Sequence, residues 1–181
     1  MGGYDGDVLF ENLELIRTVH AHGGREVRPL GLYIRRLPCD ARRFWSQRVR
    51  QAYDDLAQPV RMTAFLAVLP ALALTRRPHG ILAGVALAVG LAEVGRWRAG
   101  GRRIFPVSGS LLAPVWILER AICSWLALGA ALAGGMPYAG VRIRRAAHST
   151  RQLRRRVGLA GRAEAGGVMR TITEWLGRRQ A

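Results

Sequence analysis

Between Pro59 and Gly135 the only acidic residues are Glu93 and Glu119, and the stretch is dominated by three apolar runs: "VRMTAFLAVLPALAL", "ILAGVALAVGLAEVG" and "IFPVSGSLLAPVWILERAICSWLALGAALAGG". This constrains the fold more than any other feature, because a helix that is apolar all round must lie in a protein core or in a bilayer. The first two runs are about fifteen residues each, slightly shorter than the roughly twenty that a span needs. The "RRPHG" between them is short enough to make a helical hairpin. The third run is long enough to span, yet Glu119-Arg120 sits at its middle, and ionisable groups at that depth need a partner or water. That segment is therefore an interfacial or re-entrant helix, or a span facing a protein interior. The pair itself is read as structural in preference to a substrate contact.

Charge is distributed unevenly around this region. Eight of the twelve acidic residues precede Gln58, and the net charge is +16. Soluble chemistry therefore belongs at the front of the chain. All 28 basic residues are arginine, a uniform bias that points to a GC-rich coding sequence and not to a need for guanidinium at every site. Cys39 and Cys123 are far apart in unlike settings, which argues against a disulfide framework or a metal cluster. The first twenty residues are acidic and lack an apolar core, so no cleavable signal peptide is expected. The positive-inside rule assigns "RWRAGGRR" and the eleven arginines after Gly140 to the cytoplasmic side. Two or four crossings of the inner membrane, with both termini cytoplasmic, follow.

Before the apolar region, Leu9, Leu13, Ile16 and Val19 recur at helical spacing, with Asp7 as N-cap and Gly23-Gly24 as stop. "EVRPLGLYI" has strand character interrupted by Pro29 and Gly31, which predicts an irregular edge strand. "ARRFWSQRVRQAYDDLAQ" predicts a helix capped by Asp40 and ending near Pro59. One stripe on it is Trp45, Val49, Tyr53 and Leu56; another is Gln47, Arg50, Gln51 and Asp54. Such a helix lies on a membrane surface or roofs a cleft. After the apolar region, "MPYAGVRIRR" predicts a turn or hairpin around Gly140, followed by a basic, Gly-rich, weakly ordered helical tail. The four histidines have no ligand spacing and read as surface or turn residues. The tail has few aromatics and follows apolar spans, so membrane-surface binding is expected of it and nucleic-acid binding is not.

Three stretches, in order, resemble the C-terminal half of membrane-bound family-2 glycosyltransferases of the inverting GT-A type, in the ceramide-glucosyltransferase-like branch. "LFENLELIRTV" followed by "GG" is similar to the family's Glu-Asp helix. "QRVRQ" (Gln47 to Gln51) is similar to its QxxRW signature. The apolar helices followed by "GGMPYAGVRIRR" are similar to the end of such enzymes. The match covers about residues 3 to 150. The resemblance implies a mainly α chain, comprising the truncated C-terminal end of a GT-A α/β domain (residues 1–37), an amphipathic interfacial helix (38–59), membrane helices (60–135, with a hairpin over 60–95 and a further apolar segment over 104–135) and a basic cytoplasmic tail (136–181).

The same resemblance implies transfer of a sugar from a nucleotide-sugar to a lipid or glycan acceptor. It places Glu11, Asn12 and Asp7 at the catalytic position and Gln47, Arg48 and Arg50 in contact with substrate. An inverting transfer needs a carboxylate base to take the acceptor's proton. The departing nucleotide diphosphate is stabilised by arginine donors and a divalent ion, Mg or Mn. Gln47 and Arg50 lie one turn apart and share a helix face. The chain departs from the family at three places. Asn12 stands where the usual base is an Asp, which passes the role to Glu11, Asp7 or Glu14. Gln51 replaces the Trp of QxxRW. The nucleotide-binding βαβ half with its DxD has no counterpart upstream, and Asp5-Gly6-Asp7, which imitates DxD, reads as a turn with no metal bound in this chain. Plainer readings stand beside these. Glu11, Asn12 and Glu14 also fit the solvated face of an amphipathic helix, and Gln47, Arg48 and Arg50 also fit a basic helix on anionic headgroups. A small, basic, non-enzymatic membrane scaffold accounts for the chain without any transferase.

Overall fold

The computed structural model describes residues 7–35, 37, 39–75 and 77–158. Asp5, Gly6 and the tail beyond residue 158 lie outside the described residues. The helices are α1 (Glu11–Ala21), α2 (Ala41–Tyr53), α3 (Pro59–Leu74), α4 (Pro78–Trp97), α5 (Val107–Leu111), α6 (Ala113–Leu132) and α7 (residues 150–158). Tight 3-10 turns cover Asp54–Ala57 and Arg98–Arg103, and β1 (Met136–Tyr138) pairs with β2 (Val141–Ile143). The protein is mainly α, and it divides into two compact units, Met1–Val27 with Ala147–Ala181, and Arg28–Ala146.

In the first unit α1 starts behind Phe10 without a side-chain cap, so the expected cap at Asp7 is not made. The stop is as expected. Gly24 N–H reaches Val19 O and Gly23 N–H reaches His20 O, the paired bonds of a Schellman end, with Gly23 at φ +80. The buried side chains of α1 are Glu14 and Thr18, while the predicted stripe of Leu9, Leu13, Ile16 and Val19 is only half-buried. The start of α7 carries a reciprocal capping box that the sequence reading missed. Ser149 Oγ accepts from Gln152 N–H, and Gln152 Oε1 accepts from Ser149 N–H.

In the second unit Asp40 caps α2 as predicted, accepting from Arg43 N–H at 2.7 Å. The helix tightens at Asp54, and Pro59 opens α3, a position where its missing N–H is harmless. Pro70 lies inside α3 and leaves Leu66 O, four residues back, without its helical donor. Trp125 of α6 fills the gap, its indole N–H donating to Leu66 O at 3.2 Å. Trp125→Phe is therefore expected to destabilise this packing by about 1–2 kcal/mol, and by less in a Pro70→Ala background, where the helix supplies its own donor. Thermal unfolding of the single and double variants in detergent measures that difference.

Two expectations are corrected, and the packing around the expected hairpin is added to. Residues 26–34 form no strand: Leu32 N–H closes a turn onto Pro29 O, and Pro29 and Gly31 leave no uninterrupted edge to pair. The two helices of the predicted hairpin are present, but the packing that organises them runs through α6, which contacts both. The apolar region over 104–135 is two helices, α5 and α6, divided at Leu112 with Pro114 in the first turn of α6. The predicted hairpin at Gly140 is present. Ala139 (φ 48) and Gly140 (φ 83) give the left-handed pair of a type I′ turn, which matches the twist of the flanking strands.

Burial in this unit is inverted. Leu74, Leu82, Leu87, Leu91, Leu126 and Leu132 are exposed, while Arg48, Asp55, Arg120 and Ser124 are buried among Ala52, Ala121 and Ala127. Pro78–Arg103 and Ala113–Leu132 are long and apolar enough to cross a membrane. A core helix of a soluble protein passes the same test of length but is mostly buried. Here none of the apolar window of α4 is buried and 28% of that of α6. Small residues on the inward face of α6 match the close contacts that helices use in lipid.

Candidate functional site

The polar centre of the second unit is built from α2, the turn after it, the start of α3 and the middle of α6. Glu119 and Arg120 are not paired with each other; each has found a partner elsewhere. Arg48 embraces Glu119 through two donors, Nε to Oε1 at 2.8 Å and Nη2 to Oε2, and its Nη1 reaches Gln51 Oε1 at 2.9 Å. Arg120 donates through Nε to Asp55 Oδ2 at 3.0 Å and through Nη2 to Gln51 O at 2.7 Å. Arg61, at the first turn of α3, reaches the other oxygen of Asp55 at 3.2 Å. Cys123 donates to Glu119 Oε1 at 3.0 Å, and Ser124 Oγ donates to Arg120 O. Arg48 and Asp55 stand two turns apart and so face α6 together, while Trp45, nearer the start of α2, is 59% exposed.

At the rim, Tyr53 is fully buried and donates to Arg144 O at 2.8 Å, and burial raises its phenol pKa. The Arg50 guanidinium lies 4.8 Å from the centre of the Tyr138 ring. Asp54 has a buried oxygen, Oδ1, with no hydrogen-bond partner. Burial pushes its carboxyl up to about 6, against the pull of Arg50 and with a further push from Asp55. The folded chain thus holds this proton at pH values where the unfolded chain has released it. Asp54 contributes most below about pH 4, and that contribution fades as pH rises through about 6. Asp54→Asn is expected to stabilise the protein by about 1 kcal/mol near neutral pH, after discounting for solvent screening, and to change little near pH 4. Unfolding curves at the two pH values check the sign.

The first unit contains a second buried polar cluster. Glu14 is fully buried and accepts from His148 N–H at 2.7 Å with Oε2 and from His148 Nδ1 at 2.8 Å with Oε1. Arg17 Nη1 donates to His148 O at 2.6 Å. Arg156 Nη2, which can only donate, lies 3.2 Å from His148 Nε2, so Nε2 accepts there and Nδ1 faces the Glu14 carboxylate as donor. His148 is 2% exposed, so the expectation of a surface histidine is corrected. The two residues are 134 positions apart, beyond any local spacing signal.

Of the residues singled out from sequence, Glu11 and Asn12 are exposed on the first turn of α1, and Asp7 is exposed ahead of it. These three belong to one compact unit, and Gln47, Arg48 and Arg50 belong to the other. Arg48 is engaged with Glu119, Arg50 rests on Tyr138, and Gln47, the residue before Arg48, is half-buried. Among the described residues no three His, Cys, Asp or Glu side chains converge as a metal-binding group. The divalent ion implied by the resemblance has no donor set there, and no step below is routed through it.

Compared with known protein families, curated proteins and solved structures, the chain has no match.

Proposed function

We propose that this chain is the acceptor-side and membrane-embedded part of a family-2 glycosyltransferase, which moves a sugar from a nucleotide-sugar to a lipid or glycan acceptor at the cytoplasmic face of the inner membrane. The observation that supports this reading is the anchoring of the "QRVRQ" helix to the apolar bundle by Arg48 and Glu119. The pairing fixes a polar motif helix at the border of helices long enough to span, with Phe44 and Trp45 exposed beside it. On this reading the chain is multi-pass with both termini cytoplasmic, as its arginine distribution favours. Glu11, exposed at the start of α1, takes the acceptor's proton in place of the Asp that Asn12 replaces. Arg50 meets the substrate. The nucleotide-sugar and its Mg or Mn ion belong to a GT-A half that is not among the described residues.

In nanodiscs, the 181-residue chain by itself is expected to transfer no sugar and to bind UDP-sugars weakly. Joined to a DxD-bearing nucleotide-binding half, such as one encoded immediately upstream of Met1, it is expected to glycosylate a lipid or glycan acceptor. Glu11→Gln then slows transfer by about 10²–10⁴-fold. Transfer by the chain alone overturns this division of labour. Absence of transfer in every combination supports the alternative reading, a non-enzymatic basic membrane scaffold. One observation favours that alternative: Arg48 and Glu14 are both occupied in holding the fold.

A further inference from the structure

Tyr33 joins two loops of the second unit that are distant in sequence. Its hydroxyl donates to Ala99 O at 2.9 Å, and its ring meets Phe105 edge-on at 5.5 Å. Residues 30–35 are thereby held beside the turn over 97–105. Both loops present the same chemistry. Leu30, Leu32 and Ile34 are exposed on the first, and Trp97, Ile104 and Phe105 on the second. Arg35 is exposed on the first, and Arg98, Arg102 and Arg103 on the second. Neither loop contains an acidic residue. Arg102 lies over the Trp97 ring at 4.2 Å. Glu93, the carboxylate on the last turns of α4, is taken up by Arg96, Trp97 and Ser110.

Position supplies the partner. The turn follows directly on Trp97, the last residue of α4, whose apolar window is wholly unburied. If lipid surrounds α4, the headgroup layer meets the chain at this turn. The face of α4 that leads to this turn, carrying Gly90, Val94 and Trp97 and ending at Arg98, is open. Aromatic side chains at the interface and arginines just outside it are what an anionic headgroup layer attracts.

We infer that residues 30–35 and 97–105 form one surface that binds the anionic phospholipid headgroups of the bilayer at the C-terminal end of α4. This rests on the reading of the chain as membrane-embedded. The stretch whose residue types suggested an irregular edge strand is instead an interfacial arm that sets how deep the second unit sits.

The test uses the full chain in nanodiscs, with Leu32→Cys carrying an environment-sensitive fluorophore in a Cys39→Ser background, and a parallel Leu87→Cys variant labelled in the middle of α4. Headgroup spin-labelled phosphatidylglycerol and phosphatidylcholine serve as quenchers. The expected result is an apolar-shifted emission at Leu32 and quenching several-fold stronger with phosphatidylglycerol. In Arg98→Gln/Arg102→Gln/Arg103→Gln that preference disappears while the Leu87 label still reports lipid. If the Leu32 label reports water while the Leu87 label reports lipid, the arm is not interfacial and the inference fails with the membrane reading intact. Equal quenching by the two lipids likewise overturns it. Energy transfer between copies from the Leu32 position, in discs holding two chains, shows a protein-covered surface and overturns it as well. If the Leu87 label reports water, the membrane reading itself has failed.

Discussion

Asp55→Leu is expected to unfold the packing of α2 and α3 on α6, at a cost of about 3–5 kcal/mol. Asp55 is buried and takes Arg120 on one oxygen and Arg61 on the other. Removing it leaves the guanidinium of Arg120, itself buried, without a counter-charge in an apolar helix. Arg61 suffers less, because 45% of its side chain is exposed. The double variant Asp55→Leu/Arg120→Met is expected to recover most of the loss, since an apolar pair of similar volume can replace a buried ion pair at little cost. Denaturant unfolding in detergent, followed through the tryptophans, separates the two outcomes. A double variant as unstable as the single would mean that Arg120 matters chiefly for its bond to Gln51 O.

The second large effect belongs to Glu14. Glu14→Leu removes the acceptor of both His148 N–H and His148 Nδ1 and leaves two buried donors unpaired. At about 1–3 kcal/mol for each such group, the first unit is expected to lose about 2–6 kcal/mol. The loss should appear as accelerated amide exchange over residues 147–153, with the second unit unaffected. Glu14→Gln retains an acceptor for the backbone N–H and is expected to restore part of the protection. A uniform rise in exchange along the whole chain would contradict this local assignment.

The elements that local chemistry dictates were legible in the sequence: the Asp40 cap, the Gly23-Gly24 stop, the turn at Gly140 and the apolar helices. The faces of the helices were not. Periodicity separates an apolar stripe on α2 from a polar one but does not say which members are buried: Tyr53 of the apolar stripe is, and Trp45 is not. Glu119 and Arg120, which cannot remain unpaired in an apolar helix, draw Arg48 and Asp55 inward. That demand was visible in the sequence as two charges of opposite sign in a greasy run, but the identity of their partners was not. The segment over 26–34 misled for the opposite reason. Its residue types favour a strand, but with Pro29 and Gly31 and no neighbouring edge to pair with, propensity alone does not make one. Of the candidate site, the partners of Arg48 and Arg50, Glu119 and Tyr138, are far off in sequence and so were not legible, and the contact between Glu14 and His148 was beyond reach because nothing local links them.

The reciprocal charges of α2 and α6 also impose an order in time. Arg48 leaves the ribosome 71 residues before Glu119, and Asp55 leaves it 65 before Arg120. When α6 emerges, its two misfit charges meet partners already made and waiting. A chain shuffled to deliver α6 first would present an apolar helix carrying two charges before either partner existed, so the linear order of this sequence decides which group of each pair waits for the other.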